Sequence, residues 1–208
     1  MTPPPRSSLE KRKSPVQARS QQRVQLILAT TRALLREEGL AAVTTTAIAS
    51  RAGIPVSSLY QYYPNKKAIL MALYEDYLIK VRELFTHYDQ PKYLKQGWKP
   101  FLTLLFSQVH KAELRDEIED ELEKALGIYP ELADIDRQHR EKIAGIMVDL
   151  LRKLGSRWSR AKLRRLALYS YALNAGTWDY RAEVKPRPKE IIDWNMQVTH
   201  AVLDQCFE

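Results

Sequence analysis

The sequence predicts an all-α fold, and three observations support that prediction. Apolar residues recur at spacings of three and four along most of the chain, whereas no segment alternates apolar and polar residues as a strand would. Glycine and proline fall between these periodic segments, where they end one helix or begin the next. With 45% hydrophobic residues among 208, the chain can also bury a substantial core.

The first predicted helix spans residues 15–38. Ser14 would cap it, Pro15 suits its first position, and Gly39 stands where a C-terminal glycine cap belongs. Its apolar face is formed by Val24, Ile27, Leu28, Thr31, Leu34 and Leu35.

Two short helices and a longer one follow. The second helix begins at Thr44 and ends before Gly53, the third spans residues 55–62, and the fourth begins after Asn65 and runs to about residue 86. Two short helices joined by a tight glycine turn and packed on a longer helix are typical of a helix-turn-helix domain.

The remaining sequence is predicted to be helical as well, with breaks at glycine and proline. We predict helices over residues 97–112, 114–127, 130–155, 159–181 and 188–206. The predicted organisation is a basic disordered tail (1–13), a helix-turn-helix DNA-binding domain (14–64) and a larger helical domain (65–208).

Positive charge is concentrated in the first third of the chain. Residues 1–71 hold 11 Lys and Arg against 3 Asp and Glu, whereas residues 72–208 hold 22 of each. Such asymmetry favours a polyanionic partner for the N-terminal part. The alternative is a basic end that only aids solubility.

Other classes of function have little support in the sequence. No run of about 18 apolar residues is present, so we expect no membrane partner. The single cysteine, Cys206, suits a reducing cytoplasm, where we expect the protein to act. The four histidines lack ligand spacing, and no phosphate loop or nucleophile motif occurs, so we expect no metal, no cofactor and no enzymatic activity.

The third predicted helix has one apolar and one polar face. At about 100° per residue, Val56, Leu59 and Tyr63 share a face that we assign to the core. Opposite them lies a small polar strip, with a tyrosine at each edge; the strip and its edges are Ser57, Ser58, Gln61, Tyr60 and Tyr62.

This arrangement is suited to the major groove of DNA. Small side chains let a helix approach closely, glutamine can pair with adenine, and serine can bond to several bases. The hydroxyls of Tyr60 and Tyr62 could reach phosphates, and Lys66 and Lys67 stand at a helix N-terminus that favours anions.

The segment GLAAVTTTAIASRAGIPVSSLYQYYPNKKAIL, residues 39–70, resembles the DNA-binding domain of the tetracycline-repressor (TetR) family of bacterial transcriptional regulators. The matching residues are Gly39, Thr44, Ile48, Ala49, Ala52, Gly53, Leu59, Tyr60, Tyr62, Tyr63, Asn65 and Lys66. The resemblance covers roughly residues 20–75, and the rest of the chain matches only in length and helical character.

The resemblance implies a homodimer that binds a palindromic double-stranded DNA operator. The positions expected to touch DNA are Thr44, Thr46, Val56, Ser57, Ser58, Tyr60, Gln61, Tyr62, Lys66 and Lys67. The chain departs from the family in having Thr46 where a basic residue is common and Pro55 where serine often caps the third helix. The basic residues Lys11, Arg12, Lys13 and Arg19 could add phosphate or minor-groove contacts.

The resemblance also implies a ligand cavity between helices four to eight and a dimer interface formed by the last two helices. The expected effector is a hydrophobic or aromatic small molecule, contacted by Tyr77, Phe101, Leu105, Phe106, Val109, Tyr129, Met147, Leu151, Tyr171 and Trp178. The expected interface residues are Leu163, Leu166, Ala167, Ser170, Leu173, Ile191, Ile192, Val198, Val202 and Leu203. The alternative is that both sets form ordinary core within one chain.

The leading hypothesis is therefore a ligand-responsive, sequence-specific transcriptional regulator, with a repressor as the expected form. One alternative is a helical adaptor of the same fold that lacks specific DNA binding, because the third helix carries no Arg or Lys. A second alternative is an enzyme that uses the helical cavity.

Overall fold

The computed structural model describes residues 18–115, 118–184, 186, 188 and 190–208. Within these residues the chain is helical and has no strand, which confirms the predicted all-α class. The helices are α1 (Ala18–Ala42), α2 (Thr45–Arg51), α3 (Val56–Tyr60), α4 (Lys66–Tyr88), α5 (Pro91–Leu94), α6 (Trp98–Arg115), α7 (Glu119–Ile128), α8 (Pro130–Lys153), α9 (Arg160–Glu183) and α10 (Glu190–Asp204). The predicted cap at Ser14, the predicted start at Pro15 and the basic residues Lys11, Arg12 and Lys13 lie outside the described residues.

The chain folds as two compact units. The first unit combines Met1–Tyr77 with Asp116–Asp134, and the second combines Leu78–Arg115 with Ile135–Glu208. The first part of α4 and all of α7 thus pack with the helix-turn-helix segment, so the compact units do not follow the boundary predicted after residue 64. Where the DNA-binding function ends along the chain stays a prediction.

The first unit is built around the apolar face of α1. Val24, Ile27, Leu34 and Leu35 are buried there, as their helical spacing predicts. Gly39 interrupts the helix with a φ of 76°, a conformation that residues with a side chain rarely adopt. The predicted glycine break after residue 38 is therefore confirmed, and the chain turns toward α2 at this position.

The second unit is a bundle in which α10 packs on both α9 and α6. Its core includes Phe101, Leu102 and Leu105 from α6, Leu151 from α8, Leu163 from α9 and Leu203 from α10. A buried hydrogen bond connects the loop after α8 to the end of the chain: the Ser156 hydroxyl donates to the backbone carbonyl of Cys206 at 2.7 Å. No helix in the described part of the chain is long and apolar enough to cross a membrane.

Candidate nucleic-acid interface

Helices α2 and α3 form the helix-turn-helix that the sequence predicts. The Thr44 side chain caps α2 by accepting from the Ala47 N–H at 3.0 Å. Gly53, at a φ of 63°, makes the turn, and the Ile54 N–H returns to the Ala49 carbonyl at 3.0 Å. These local bonds fix the angle at which α3 leaves α2.

Helix α3 separates a buried face from an exposed one, although Val56, which the sequence predicts in the core, is only half-buried. Leu59 and Tyr63 are buried, whereas Ser57, Tyr60 and Gln61 are exposed; Val56 and Ser58 lie half-buried between them. Burial raises the pKa of Tyr63 to about 12, with a smaller contribution from the Glu75 carboxylate, so its phenol stays protonated. The exposed side chains are those that can donate to and accept from base edges.

Tyr62 departs from the prediction that only one of the three tyrosines is core. Its ring is buried, and its hydroxyl lies 3.2 Å from the Ser20 hydroxyl of α1. Helix α3 ends at Tyr60, so a helical angle carried forward to Tyr62 is wrong. Tyr60 does lie at an edge: it is 40% exposed, and its hydroxyl is 3.2 Å from that of Thr45.

The two lysines at the start of α4 already have partners within the first unit. The Lys66 ammonium donates to the Leu40 carbonyl at 2.6 Å, and burial lowers its pKa. The Lys67 ammonium pairs with Glu131 at 2.7 Å. Asn65 caps α4 by accepting from the Ala68 N–H at 2.9 Å, and α4 begins directly after it, as the sequence predicts. A phosphate at this site would have to share or replace these partners.

Glu121 holds the turn between α1 and α2 from the other side. Its carboxylate accepts from the Leu40 N–H at 2.6 Å, so both backbone polar groups of Leu40 are bound by side chains. Burial alone would raise the pKa of Glu121, but the bonds from Lys124 and from the Leu40 N–H lower it overall. A Cβ added at Gly39 would lie 3.3 Å from this carboxylate. Sequence reasoning missed Glu121 because 81 residues separate it from Leu40.

The remaining predicted DNA contacts are solvent-accessible. Thr44 and Thr46 are exposed at the start of α2, and Arg19 is exposed on the first turn of α1. Arg51, the basic residue that ends α2, is bound to Glu37 and Glu38 of α1. No described group of three His, Cys, Asp or Glu side chains could hold a metal ion.

The residues predicted to contact a ligand are distributed over both units. Tyr77 and Tyr129 belong to the first unit and the other eight to the second. Phe101, Leu105, Val109, Met147, Leu151 and Trp178 are buried, whereas Tyr77, Phe106, Tyr129 and Tyr171 are half-buried. Their burial agrees equally well with a plain core, so ligand contact stays a prediction.

The predicted dimer residues divide in the same way. Leu163, Ala167, Ser170 and Leu203 are buried within one chain, so for these four the within-chain alternative holds. Leu166, Leu173, Ile191, Ile192 and Val202 are half-buried, and Val198 is exposed. Three exposed aromatic residues that sequence reasoning missed, Tyr169, Tyr180 and Trp194, lie on the same two helices.

Comparison with known proteins agrees with this architecture. The family model for bacterial regulatory proteins of the tetR family matches residues 27–73, which contain the helix-turn-helix. No curated protein matches the chain significantly.

Solved structures match over nearly the whole chain. A TetR-family transcriptional regulator from Streptomyces coelicolor is 24% identical, with 88% of this chain and 99% of that chain covered at a TM-score of 0.64. A TetR transcription regulator from Haloarcula marismortui is 16% identical, with 90% and 100% covered at a TM-score of 0.71. A TetR transcriptional regulator from Legionella pneumophila is 16% identical, with 88% and 96% covered at a TM-score of 0.66.

At these identities the solved structures establish the fold alone, whereas the family match covers the segment that carries the DNA-binding motif. Residues 27–73 therefore match the tetR family of bacterial regulatory proteins, and the chain has the helix-turn-helix of a DNA-binding transcriptional regulator.

Proposed function

We propose that this regulator is a homodimeric repressor that binds a palindromic operator and is released from it by a small hydrophobic or aromatic molecule. The observation that carries the proposal is the face formed by α3 and its C-cap: Ser57 and Gln61 are exposed on the side opposite the fully buried Leu59, and Tyr60 is exposed at the edge. A helix fixed by its core on one side and polar on the other can enter a major groove without rearranging.

Base readout is proposed for Gln61 and Ser57, with Ser58 beside them. Gln61 can pair with an adenine through one donor and one acceptor, and Ser57 is small enough to let the helix approach. Thr44, Thr46, Val56, Tyr60, Lys66 and Lys67 are proposed to position the helix on the sugar-phosphate backbone, whereas the buried Tyr62 is not. Because Lys66 and Lys67 already bind protein acceptors, we expect a smaller share of the affinity from them than from Tyr60.

Dimerisation is proposed through the exposed parts of α9 and α10. Trp194 and Val198 stand one helical turn apart on α10, and Tyr169 and Tyr180 lie on α9. Large exposed rings and aliphatic side chains on two packed helices are typical of a protein interface. A two-fold dimer would present two α3 helices to two half-sites, separated by about 34 Å or a multiple of it.

Release by a ligand is proposed because α4 is one helix with residues in both compact units, up to Tyr77 in the first and from Leu78 in the second. A ligand that binds the second unit more tightly in one position of α4 would lower operator affinity by that difference in affinity. The half-buried Phe106 and Tyr171 and the buried Trp178 are among its proposed contacts.

Selection from random-sequence DNA tests the proposal. We expect the full chain to enrich two inverted half-sites at a fixed spacing, and the Gln61→Ala variant to enrich a changed base at one position of each half-site. Enrichment of no sequence, with binding that weakens steeply as salt rises, would favour the adaptor alternative instead. Turnover of a small molecule that is unchanged in Tyr60→Ala would favour the enzyme alternative.

A further inference from the structure

Five side chains from three helices form a polar cluster inside the second unit. We call it the Asn174 cluster: His110 of α6, Asn174, Trp178 and Arg181 of α9, and Asn195 of α10. The Asn174 carbonyl oxygen is 3.1 Å from His110 Nε2 and accepts from Asn195 Nδ2 at 2.9 Å. The Trp178 ring lies 5.8 Å from the His110 ring and 5.1 Å from the Arg181 guanidinium carbon. These contacts join all five side chains.

The Asn174 cluster contains buried polar atoms that lack hydrogen-bond partners. They are His110 Nδ1, Trp178 Nε1, Arg181 Nε and Asn195 Oδ1, and Ser170 Oγ, one turn before Asn174, is a fifth. His110, Trp178 and Asn195 are each less than 10% exposed. Folded proteins satisfy most buried polar groups, so five unsatisfied atoms on these three packed helices indicate a site for a further hydrogen-bonding partner.

The hydrogen-bonding roles of these atoms follow from their partners. Asn174 Oδ1 can only accept, so His110 Nε2 carries the ring hydrogen. Burial lowers the pKa of His110, and the positive charge of Arg181 lowers it further. The hydrogen bond to Asn174 raises it by a smaller amount than burial lowers it, so the pKa is lowered overall. His110 Nδ1 and Asn195 Oδ1 are therefore acceptors, whereas Trp178 Nε1 and Arg181 Nε are donors.

The charge of the cluster narrows the chemistry further. Within the described residues, Arg181 contacts the Trp178 ring and has no carboxylate within ion-pair distance. A guanidinium with its Nε buried and no counter-ion is a recognition group for carboxylate. The two acceptors, His110 Nδ1 and Asn195 Oδ1, can take a hydrogen bond from a donor group on the same molecule.

We propose that the Asn174 cluster binds a small organic acid that carries a hydroxyl group besides its carboxylate. Arg181 Nε and Trp178 Nε1 donate to the carboxylate, and the hydroxyl donates to Asn195 Oδ1 or His110 Nδ1. The hydrocarbon part of the acid contacts apolar residues such as Phe106, one turn before His110 on α6. If this acid is the effector, the inference rests on the proposed function and adds the chemical class of the effector.

Binding is tested on the full chain with four acids and their matched carboxamides. The acids are salicylate, 4-hydroxybenzoate, benzoate and 3-hydroxyhexanoate, each titrated to millimolar concentration by calorimetry. We expect at least one hydroxy acid to bind. Its affinity should be at least tenfold higher than that of its carboxamide, and higher than that of benzoate. Binding of none of the acids, or equal binding of acids and carboxamides, would overturn the proposal and leave ordered water as the partner of these atoms.

Matched variants locate the site. Arg181→Gln removes the positive charge, and Trp178→Phe removes the N–H while keeping an aromatic ring. Each variant should lower the affinity for the acid at least tenfold. Arg165→Gln, an exposed arginine on the same helix, and Trp158→Phe are controls that should leave it unchanged. Urea denaturation of each variant shows that it is folded. Equal affinity in Arg181→Gln and Arg165→Gln would overturn the assignment of the site.

The site and the proposed function can fail separately. Operator affinity is measured with and without the tightest acid, in wild type and in Arg181→Gln. If the acid abolishes operator binding in wild type but not in Arg181→Gln, the result supports both the site and its role as effector site. Tight, Arg181-dependent acid binding that leaves operator affinity unchanged supports the site and contradicts its role as effector site.

Discussion

The two compact units differ in where they keep polar groups without protein partners. In the first unit such groups are on the surface, on the outer face of α3, where Ser57 and Gln61 are exposed. In the second unit they are inside. Within the described residues, six buried side-chain polar atoms have neither a hydrogen-bond nor an ion-pair partner; five of them lie in the second unit, and Tyr63 Oη is the exception.

This difference shows what each unit is able to bind. A surface of exposed donors and acceptors can meet another large surface, such as a DNA groove, at little cost in rearrangement. Buried donors and acceptors can be reached only by a small molecule or by water.

The α3 core should matter far more to stability than the α3 surface. Leu59 is fully buried, so Leu59→Ala should lower the free energy of unfolding by about 3 kcal/mol. Tyr60→Ala, one residue later, should cost less than about 1 kcal/mol because the ring is 40% exposed. Urea denaturation of both variants measures the difference. Similar losses would mean that α3 is not divided into a core face and a reading face.

The exposed apolar surface of the second unit should hold the dimer together. Trp194→Ala should weaken dimerisation by about 2 kcal/mol, roughly thirtyfold in Kd, because an aromatic ring central to an interface is a common hot spot. Sedimentation equilibrium measures this Kd, and Gln138→Ala, exposed on α8, is the control. An unchanged Kd in Trp194→Ala would place the interface elsewhere.

Acid should destabilise the second unit through His139. Burial, together with the charges of Arg82 and Lys142, lowers the pKa of His139 to about 4, and its Nδ1 lies 2.9 Å from Arg82 Nη1. Between about pH 6.5 and pH 4, His139 is therefore protonated in the unfolded chain and neutral in the folded chain. Stability from this group is complete above that window and decreases as the pH falls through it, by about 2 kcal/mol at about pH 5.

The measurement is urea denaturation at about pH 7.5 and about pH 5 for wild type, His139→Gln and, as control, His87→Gln. His110 and His200 also have lowered pKa values, through burial first, so the wild-type decrease includes their contributions. The difference between wild type and His139→Gln isolates His139. A decrease of equal size in His139→Gln would contradict the assignment.

Glu121 should couple α7 to the turn between α1 and α2. Glu121→Ala removes the acceptor of the Leu40 N–H and should cost about 1 kcal/mol of stability. Glu131→Ala removes the partner of Lys67 and acts at a side chain more exposed than Glu121. It should cost less than half as much stability. Denaturation followed by tryptophan fluorescence and by circular dichroism gives both values. Equal costs would make Glu121 an ordinary surface carboxylate.

Sequence reasoning succeeded where the determinants are local. The glycine break at Gly39, the helix starts beside Thr44 and Asn65, and the burial of Leu59 and Tyr63 depend on residues within one or two turns. It failed for Tyr62, because α3 ends at Tyr60 and the partner of Tyr62, Ser20, lies 42 residues away.

The sequence also could not show the Asn174 cluster or the Glu121 contact. His110 and Asn174 are 64 residues apart, and Leu40 and Glu121 are 81 apart. No periodic pattern relates residues at such distances, because their proximity depends on how whole helices pack. For the same reason, four residues predicted for a dimer interface are used up inside one chain.

Fluorescence-anisotropy binding to the DNA upstream of the protein's own gene would show whether the exposed face of α3 reads DNA. It compares wild type, the Tyr60→Ala/Gln61→Ala double variant and the Gln138→Ala control, in excess nonspecific competitor at near-physiological salt. We expect tight binding by wild type and control, and at least a tenfold loss in the double variant with its fold intact. Where wild type binds this DNA, equal affinity of the double variant would contradict the claim that the exposed face of α3 reads DNA.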